Sequence, residues 1–339
     1  MALRPTALLL LWGVASAAQV PVIGIVDLYG VRRLEPEKLR RVIEVTADDP
    51  MPASKADLEE RVEAFPGVVR SEVTAHCCDA GKIVLYVGVE EKGAPHFGYH
   101  DVPTGEVILP DYVVENYREF LRTVSRAGVA GKLAEDLSQG HSLMANRDVR
   151  PYQDRFLIHA ELYLDKLREV LRKSSIDEAR AIAAHLLGYA RNKRVVIDDL
   201  QYALRDPDDT VRGNALRALS AIAVLGQTDA ELGIKVAPTW FVEMLHSIVW
   251  NDRYRAAQAL VLLTESRDPA AIELLRERAA EPVMEMVQWK HLPHALPAFF
   301  LAGRMAGFEE SEIEAAWLRG DREPVIARLS ASLSTSGKR

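Results

Sequence analysis

The chain has 339 residues, 48% of them hydrophobic and 27% charged, and its 49 acidic against 42 basic side chains give a formal charge of −7. That balance excludes a disordered chain, and the length provides for two or three domains with cores of their own. It also excludes a surface built to neutralise phosphates, so nucleic acid is not an expected partner.

The chain opens with a short segment carrying Arg4, an apolar run from Thr6 to Val14, and the small residues Ala15-Ser16-Ala17-Ala18. This is the layout of a secretory signal peptide over residues 1–18, with cleavage near Ala18, and its apolar core is too short for the ~20 residues of a spanning helix. The competing reading is a retained amphipathic N-terminus or an uncleaved anchor. No later apolar stretch reaches spanning length, and the cysteine that a lipid anchor needs does not follow the small residues. The expectation is an exported chain, periplasmic or extracellular, with no membrane span after cleavage. Its two cysteines, Cys77 and Cys78, are adjacent. Bridging neighbours closes a strained ring, so they are not expected to act as a structural staple, and they lack the further ligands of a structural metal site. They read as inert thiols or a passive pair, with a thiol switch as the functional alternative.

Residues 19–93 read as a small α/β unit. Val22 to Tyr29 is β-branched and apolar and stops at Gly30, which predicts a strand. Glu35-Pro36-Glu37 opens a short helix with Leu39, Val42 and Ile43 on one face, and Ser54 to Asp57 caps a second with Leu58, Val62 and Phe65. The period then changes to two. Val69 to His76 alternates, Asp79-Ala80-Gly81 turns, and Ile83 to Glu91 returns as a hydrophobic strand. Strand, helix, helix, strand, strand, with Phe65-Pro66-Gly67-Val68 before the second strand and Val87 to Lys92 closing the third, resembles a polypeptide-transport-associated (POTRA) domain. The resemblance implies a periplasmic domain that contacts polypeptides, often by adding a strand to its sheet edge, and here the matching edge is the strand of Val69, Ser71, Val73 and Ala75. Such domains commonly precede an outer-membrane barrel. That expectation fails, because the pattern after residue 111 is helical rather than ~10-residue alternating segments.

Residues 94–110 are rich in turn formers and read as an irregular connector with a short hairpin around Pro103-Thr104-Gly105. A helical middle section, 111–174, follows, with one helix from Asp111 to about Arg126 and a second from Pro151 to Lys173. Between them the polar loop 135–148 holds Glu135, Asp136, His141 and Ser142, the best place for an undeclared hydrolase or metal-dependent site. Gly140-His141-Ser142 is not a nucleophile elbow, since Met144 stands where the second glycine belongs. Turn and capping roles account for the same residues.

Residues 175–333 repeat themselves. Arg180-x-x-Ala183-x-x-Leu186-Leu187 is echoed from Arg212, from Arg253 and, with Leu292 in place of arginine, at Ala295 to Phe299, at intervals of 32, 41 and 39 residues. These are the periods of paired helices, in which the small residue admits a close neighbour. The pattern resembles HEAT-type repeats, which implies a curved solenoid that binds proteins. The uneven spacing leaves an irregular helical bundle as the alternative. Arg180, Arg212 and Arg253 are expected to pair with carboxylates between layers, and residues 334–339 to form a disordered tail.

Other signatures fail. None of the nine histidines precedes a glutamate as in metal-holding HEAT-like proteins, and His291 and His294 have no carboxylate in register. Gly131-Lys132 lacks the phosphate-loop pattern, with Arg126 and Leu133 at its key positions. The reading is an α+β protein: a small POTRA-like three-stranded sheet with two helices, then an all-α HEAT-like solenoid. It is expected to need no cofactor or metal and to hold protein partners in the cell envelope without catalysis. The alternative is an exported hydrolase or metal-dependent enzyme using the 135–148 loop.

Overall fold

A computed structural model describes residues 20–129 and 134–336. The expected signal peptide and the Gly131-Lys132 dipeptide lie outside the described residues. The first elements are β1 (Ile23–Tyr29), α1 (Pro36–Ile43), α2 (Lys55–Glu63), β2 (Val68–Asp79) and β3 (Lys82–Glu91). Pro36 stands in the first turn of α1, where its missing N–H leaves nothing unpaired, and the Ser54 hydroxyl accepts the Asp57 N–H to cap α2.

The strands form one sheet in the order β1-β3-β2, with β1 parallel and β2 antiparallel to the central β3. Burial on both faces explains why β3 reads as an unbroken apolar run. Its Leu85, Val87 and Val89 join Ile23 and Val73 beneath Leu39 and Ile43 of α1 and Leu58 and Val62 of α2. Val84 and Tyr86, with Tyr29, turn the other way into the core of the helical part.

That part comprises α3 (Asp111–Val129), α4 (Arg150–Leu162), α5 (Leu164–Lys173), α6 (Asp177–Leu187), α7 (Arg194–Ala203), α8 (Asp209–Thr228), α9 (Thr239–Met244), α10 (Trp250–Leu263), α11 (Pro269–Met286), α12 (Leu292–Met305), α13 (Glu310–Leu318) and α14 (Glu323–Ser336). From α5 onward the helices pair in chain order and stack: α6, α8, α10, α12 and α14 form one layer, and α5, α7, α9 and α11 supply the other. This is a helical repeat. Each copy of the sequence template starts a helix of the first layer, and Ala183, Ala215, Ala256 and Ala295 are all fully buried, as are Leu187, Leu219, Leu260 and Phe299. A larger side chain at the alanine positions would hold neighbouring layers apart.

Three local expectations are corrected. The helix expected over 151–173 is two helices, broken at Tyr163 (φ −116°, ψ 20°), where no glycine or proline intervenes. Both helices touch α6, but α4 packs on α3 and β5 whereas α5 packs on α7, which takes the chain in a new direction. The hairpin around Gly105 does not form; Gly105 instead bridges to Ser174 in a parallel sense. The 135–148 segment is not wholly irregular, because β4 (Glu135–Asp136) pairs with β5 (Leu143–Met144). At the far end α14 continues to Ser336, into the stretch read as a tail.

Candidate interaction surfaces

The three template arginines are nearly inaccessible and form a ladder along one edge of the stack. Arg180 makes a two-pronged pair with Asp206 at 2.8 and 2.9 Å and donates to the Ser174 carbonyl. Arg212 pairs with Asp252 and donates to the Asp206 carbonyl; Arg253 pairs with Glu285 and donates to the Ser247 carbonyl. In each rung the carbonyl lies six residues before the arginine, in the turn that opens its helix. A guanidinium suits this place because its planar fork serves a carboxylate and a carbonyl at once.

This edge is covered by the chain's own N-terminal part. The connector runs back along the turns: Gly105 exchanges hydrogen bonds with Lys173 and Ser175, and His100 and Gly98 bond Arg205. Tyr99 lies with its ring 4.5 Å from the Arg212 guanidinium and its hydroxyl on Ser247. Glycine is required at 105, where a Cβ would stand 2.5 Å from the Lys173 carbonyl oxygen. Beyond the connector the sheet docks. The Tyr29 ring covers Arg253 at 4.7 Å and its hydroxyl donates to the Ile248 carbonyl; Asp27 accepts the Lys290 N–H; Glu285 accepts the Gly30 N–H and pairs with Arg32. Gly88 permits the approach, since a Cβ there would meet the Tyr29 ring at 2.6 Å. The ladder edge is therefore an internal seam.

The expected edge-strand residues divide. Val69 and Ala75 are exposed, whereas Ser71 and Val73 are buried with Val73 in the small core. The N–H groups of Ser71 and Val73 do point to the open edge, but they already donate to Glu63 at 2.8 Å and Glu59 at 2.7 Å on α2. An added strand would have to displace both carboxylates. Cys77 and Cys78, joined as a disulfide, are exposed at the end of the same strand.

Within the loop, Glu135 and Ser142 come together and His141 does not join them. The Ser142 hydroxyl donates to Glu135, which also receives Arg217, while the Ser142 carbonyl is held by buried Gln153 and Tyr189. His141 instead faces Lys193, with Nδ1 and Nζ 3.4 Å apart. Burial, reinforced by the Lys193 charge, pushes the His141 imidazole down to about 4, and burial brings the Lys193 amine down to about 8. Asp136 is exposed and turned to the Ser138 N–H, which holds its carboxyl below the ordinary range. No serine–histidine relay is assembled, and the hollow beside His141 and Ser142 measures only about 20 Å³. Among the described residues no three His, Cys, Asp or Glu side chains are arranged to hold a metal ion.

Two features escape the sequence. Glu285 joins sheet and solenoid, yet it looks like any surface glutamate of a helix. His76 of β2 meets His294 and, through it, His291, with ring centroids 5.2 and 4.0 Å apart, beside Trp250. His294 shares a 2.8 Å hydrogen bond with the Tyr86 hydroxyl, and burial, then the neighbouring imidazoles, lowers its pKa to about 4. These rings pack the seam.

Comparison with known proteins bears on the solenoid. Residues 164–232, from α5 through α8, match the family model for HEAT repeats. A designed armadillo repeat protein, YIII(Dq)4CqI, aligns over 58% of this chain and 97% of its own length, at 16% identity and a TM-score of 0.35. No curated protein sequence matches. HEAT-like helical repeats are thus present, and repeats of this kind commonly serve as protein-interaction scaffolds. Among the described residues no helix is long and apolar enough to cross a membrane.

Proposed function

We propose that this protein is an exported, non-catalytic scaffold of the cell envelope that holds polypeptide partners, with a POTRA-like sheet unit fixed to a HEAT-like solenoid. The observation that carries the reading is the repeat itself: stacked helix pairs with buried alanines and an arginine ladder, matched by the HEAT family over α5 to α8. Repeat stacks present long continuous surfaces, which suit extended protein partners rather than enclosed substrates. The segment 1–18, with its charged start, apolar core and small-residue end, supports export. The seam narrows where partners can bind, because the ladder edge is covered by the chain's own connector and sheet. Strand addition along β2 competes with Glu59 and Glu63, which leaves the exposed solenoid faces and the middle section as the main binding surface.

The test is crosslinking of the tagged full chain in intact envelopes, followed by identification of the captured proteins. Specific envelope proteins recovered in constant ratio to the bait support the scaffold. Recovery of the bait alone, or its retention in the cytoplasm, overturns it. Loss of residues 19–93 would bare Trp250 and Trp289, which pack against Tyr86 of the sheet, so surface substitutions serve as controls.

A further inference from the structure

We propose that the groove between α3 and α4 binds an acidic peptide segment of a partner, with its carboxylates held by Arg126, Arg147 and Arg155. This rests on the scaffold reading and names the chemistry of what the scaffold holds.

The groove has two connected hollows. One, of about 690 Å³, is lined by the three arginines together with Thr123, Tyr152 and one carboxylate, Asp148. The other, of about 540 Å³, shares Tyr152 and Arg155 and continues past Tyr112, Asn116 and His159, with Glu115 and Glu119, both paired with Arg122, on its wall. Elsewhere on these helices the basic side chains are already matched: Arg118 pairs with Glu178, Arg122 with Glu115 and Glu119, and Arg150 with Asp154. Among the described residues Arg126, Arg147 and Arg155 have no carboxylate within ion-pair distance. Two of them are instead steadied by neutral groups. Arg155 donates to the Asn116 side chain at 2.8 Å and lies 5.2 Å from the Tyr152 ring centre, and Arg126 donates to the Thr123 hydroxyl at 3.1 Å. Guanidinium groups oriented in this way retain free donors for carboxylates and lose little freedom on binding them.

In the first hollow three guanidiniums against one carboxylate make a positive site on a chain whose overall charge is −7, while Glu115 and Glu119 keep the second hollow from being one. Attraction is therefore local, and anions in general are not drawn to the molecule. The shape decides for a peptide over a small ion. The three arginines line the first hollow, Arg155 opens onto the second, and Ile158 and Leu162 stand 63% and 65% exposed on the Arg155 side of α4. An extended segment with acidic residues followed by an apolar one satisfies both ends.

The experiment is fluorescence anisotropy on the full chain with two labelled peptides, one alternating Glu and Asp before a Leu pair, the other its Gln and Asn counterpart. Inorganic phosphate is added as competitor. The acidic peptide should bind at least about tenfold tighter than its neutral counterpart, and less tightly as salt rises. Arg126→Glu with Arg147→Glu should remove that preference; both side chains are exposed, so folding should be unaffected, which circular dichroism checks. Equal binding of the two peptides, or acidic-peptide binding unchanged in the double variant, overturns the proposal. So does displacement by phosphate at equimolar peptide, which would make the groove a small-anion site. Partner capture in envelopes that persists without peptide binding would remove the groove while leaving the scaffold standing.

Discussion

At the scale of single residues, the seam depends on charges whose value is set by burial. Arg253 is 1% exposed, and burial lowers its pKa against the opposing pull of Glu285. Glu285→Gln leaves that guanidinium and Arg32 without their shared partner, so the expected loss is about 3 kcal/mol in chemical denaturation, as for other buried pairs broken on one side. Glu281 is the control: it reaches Arg32 at 3.4 Å but is two-thirds exposed, and Glu281→Gln should cost less than about 0.5 kcal/mol. Equal losses would show that Glu285 is no more than another surface charge. His185 makes the complementary point about pH. It is enclosed by Tyr117, Phe120, Phe156 and Tyr189, and burial pushes its pKa from 6.5 down to about 3. The folded protein therefore keeps it neutral. As pH falls below 6.5 the unfolded chain takes a proton that the folded one refuses, so stability drains at about 1.4 kcal/mol per pH unit until the folded pKa is reached. His185→Phe removes this contribution. The unfolding free energy of the variant should gain steadily on that of wild type between pH 6.5 and 4, whatever their difference at pH 7. A constant difference across that range would mean that His185 is protonated in the fold.

At the scale of elements, β2 shows how an edge can be occupied from within. Glu59 and Glu63 lie one turn apart on α2, and each accepts an outward N–H of the strand. Such blocking suppresses pairing with other chains. Glu59→Ala with Glu63→Ala should lower stability by about 1 kcal/mol for each lost bond and raise self-association, read by sedimentation velocity. A double variant that stays monomeric and fully stable would show that the carboxylates do not guard the edge. Residue spacing alone reveals that Glu59 and Glu63 share a face, but not that the face overhangs a strand. The same limit runs through the fold. β3 was legible because burial on both sides leaves an unbroken apolar run, and the repeat was legible because Arg180, Arg212 and Arg253 recur with their alanines. The break at Tyr163 left no local signal, since its cause lies in neighbouring helices. Gly105 has the look of a turn former for a hairpin, whereas what it supplies is close approach to the Lys173 carbonyl. In the 135–148 loop, composition identified polar residues worth attention, but only the fold separates His141, which turns to Lys193, from Ser142, which turns to Glu135.

At the scale of the whole molecule, the sheet and the solenoid share a core, and that predicts how the chain unfolds. Tyr29, Val84 and Tyr86 belong to the same buried cluster as Trp250 and Trp289, with the Tyr86 ring 5.1 and 5.0 Å from the two tryptophans. Separating the two parts would bare this face, so neither should persist once the other is lost. The chain from residue 19 carrying Trp240→Phe and Trp317→Phe retains only the two seam tryptophans. In that protein, fluorescence reports docking while far-ultraviolet circular dichroism reports mainly the helices. The two probes should give coincident denaturant transitions, the signature of one cooperative unit. Gly88→Ala drives a wedge into the seam, because the added methyl meets the Tyr29 ring at 2.6 Å and the Ile248 carbonyl oxygen at 2.8 Å. Overpacking of this kind costs about 1–3 kcal/mol, and it falls on the docking step. Because docking and the helices unfold as one unit, both transitions of the variant should move to lower denaturant together. If the transitions of the parent protein already separate, the sheet unit is an independent domain resting on the solenoid, and the ladder edge is open to partners whenever it lifts.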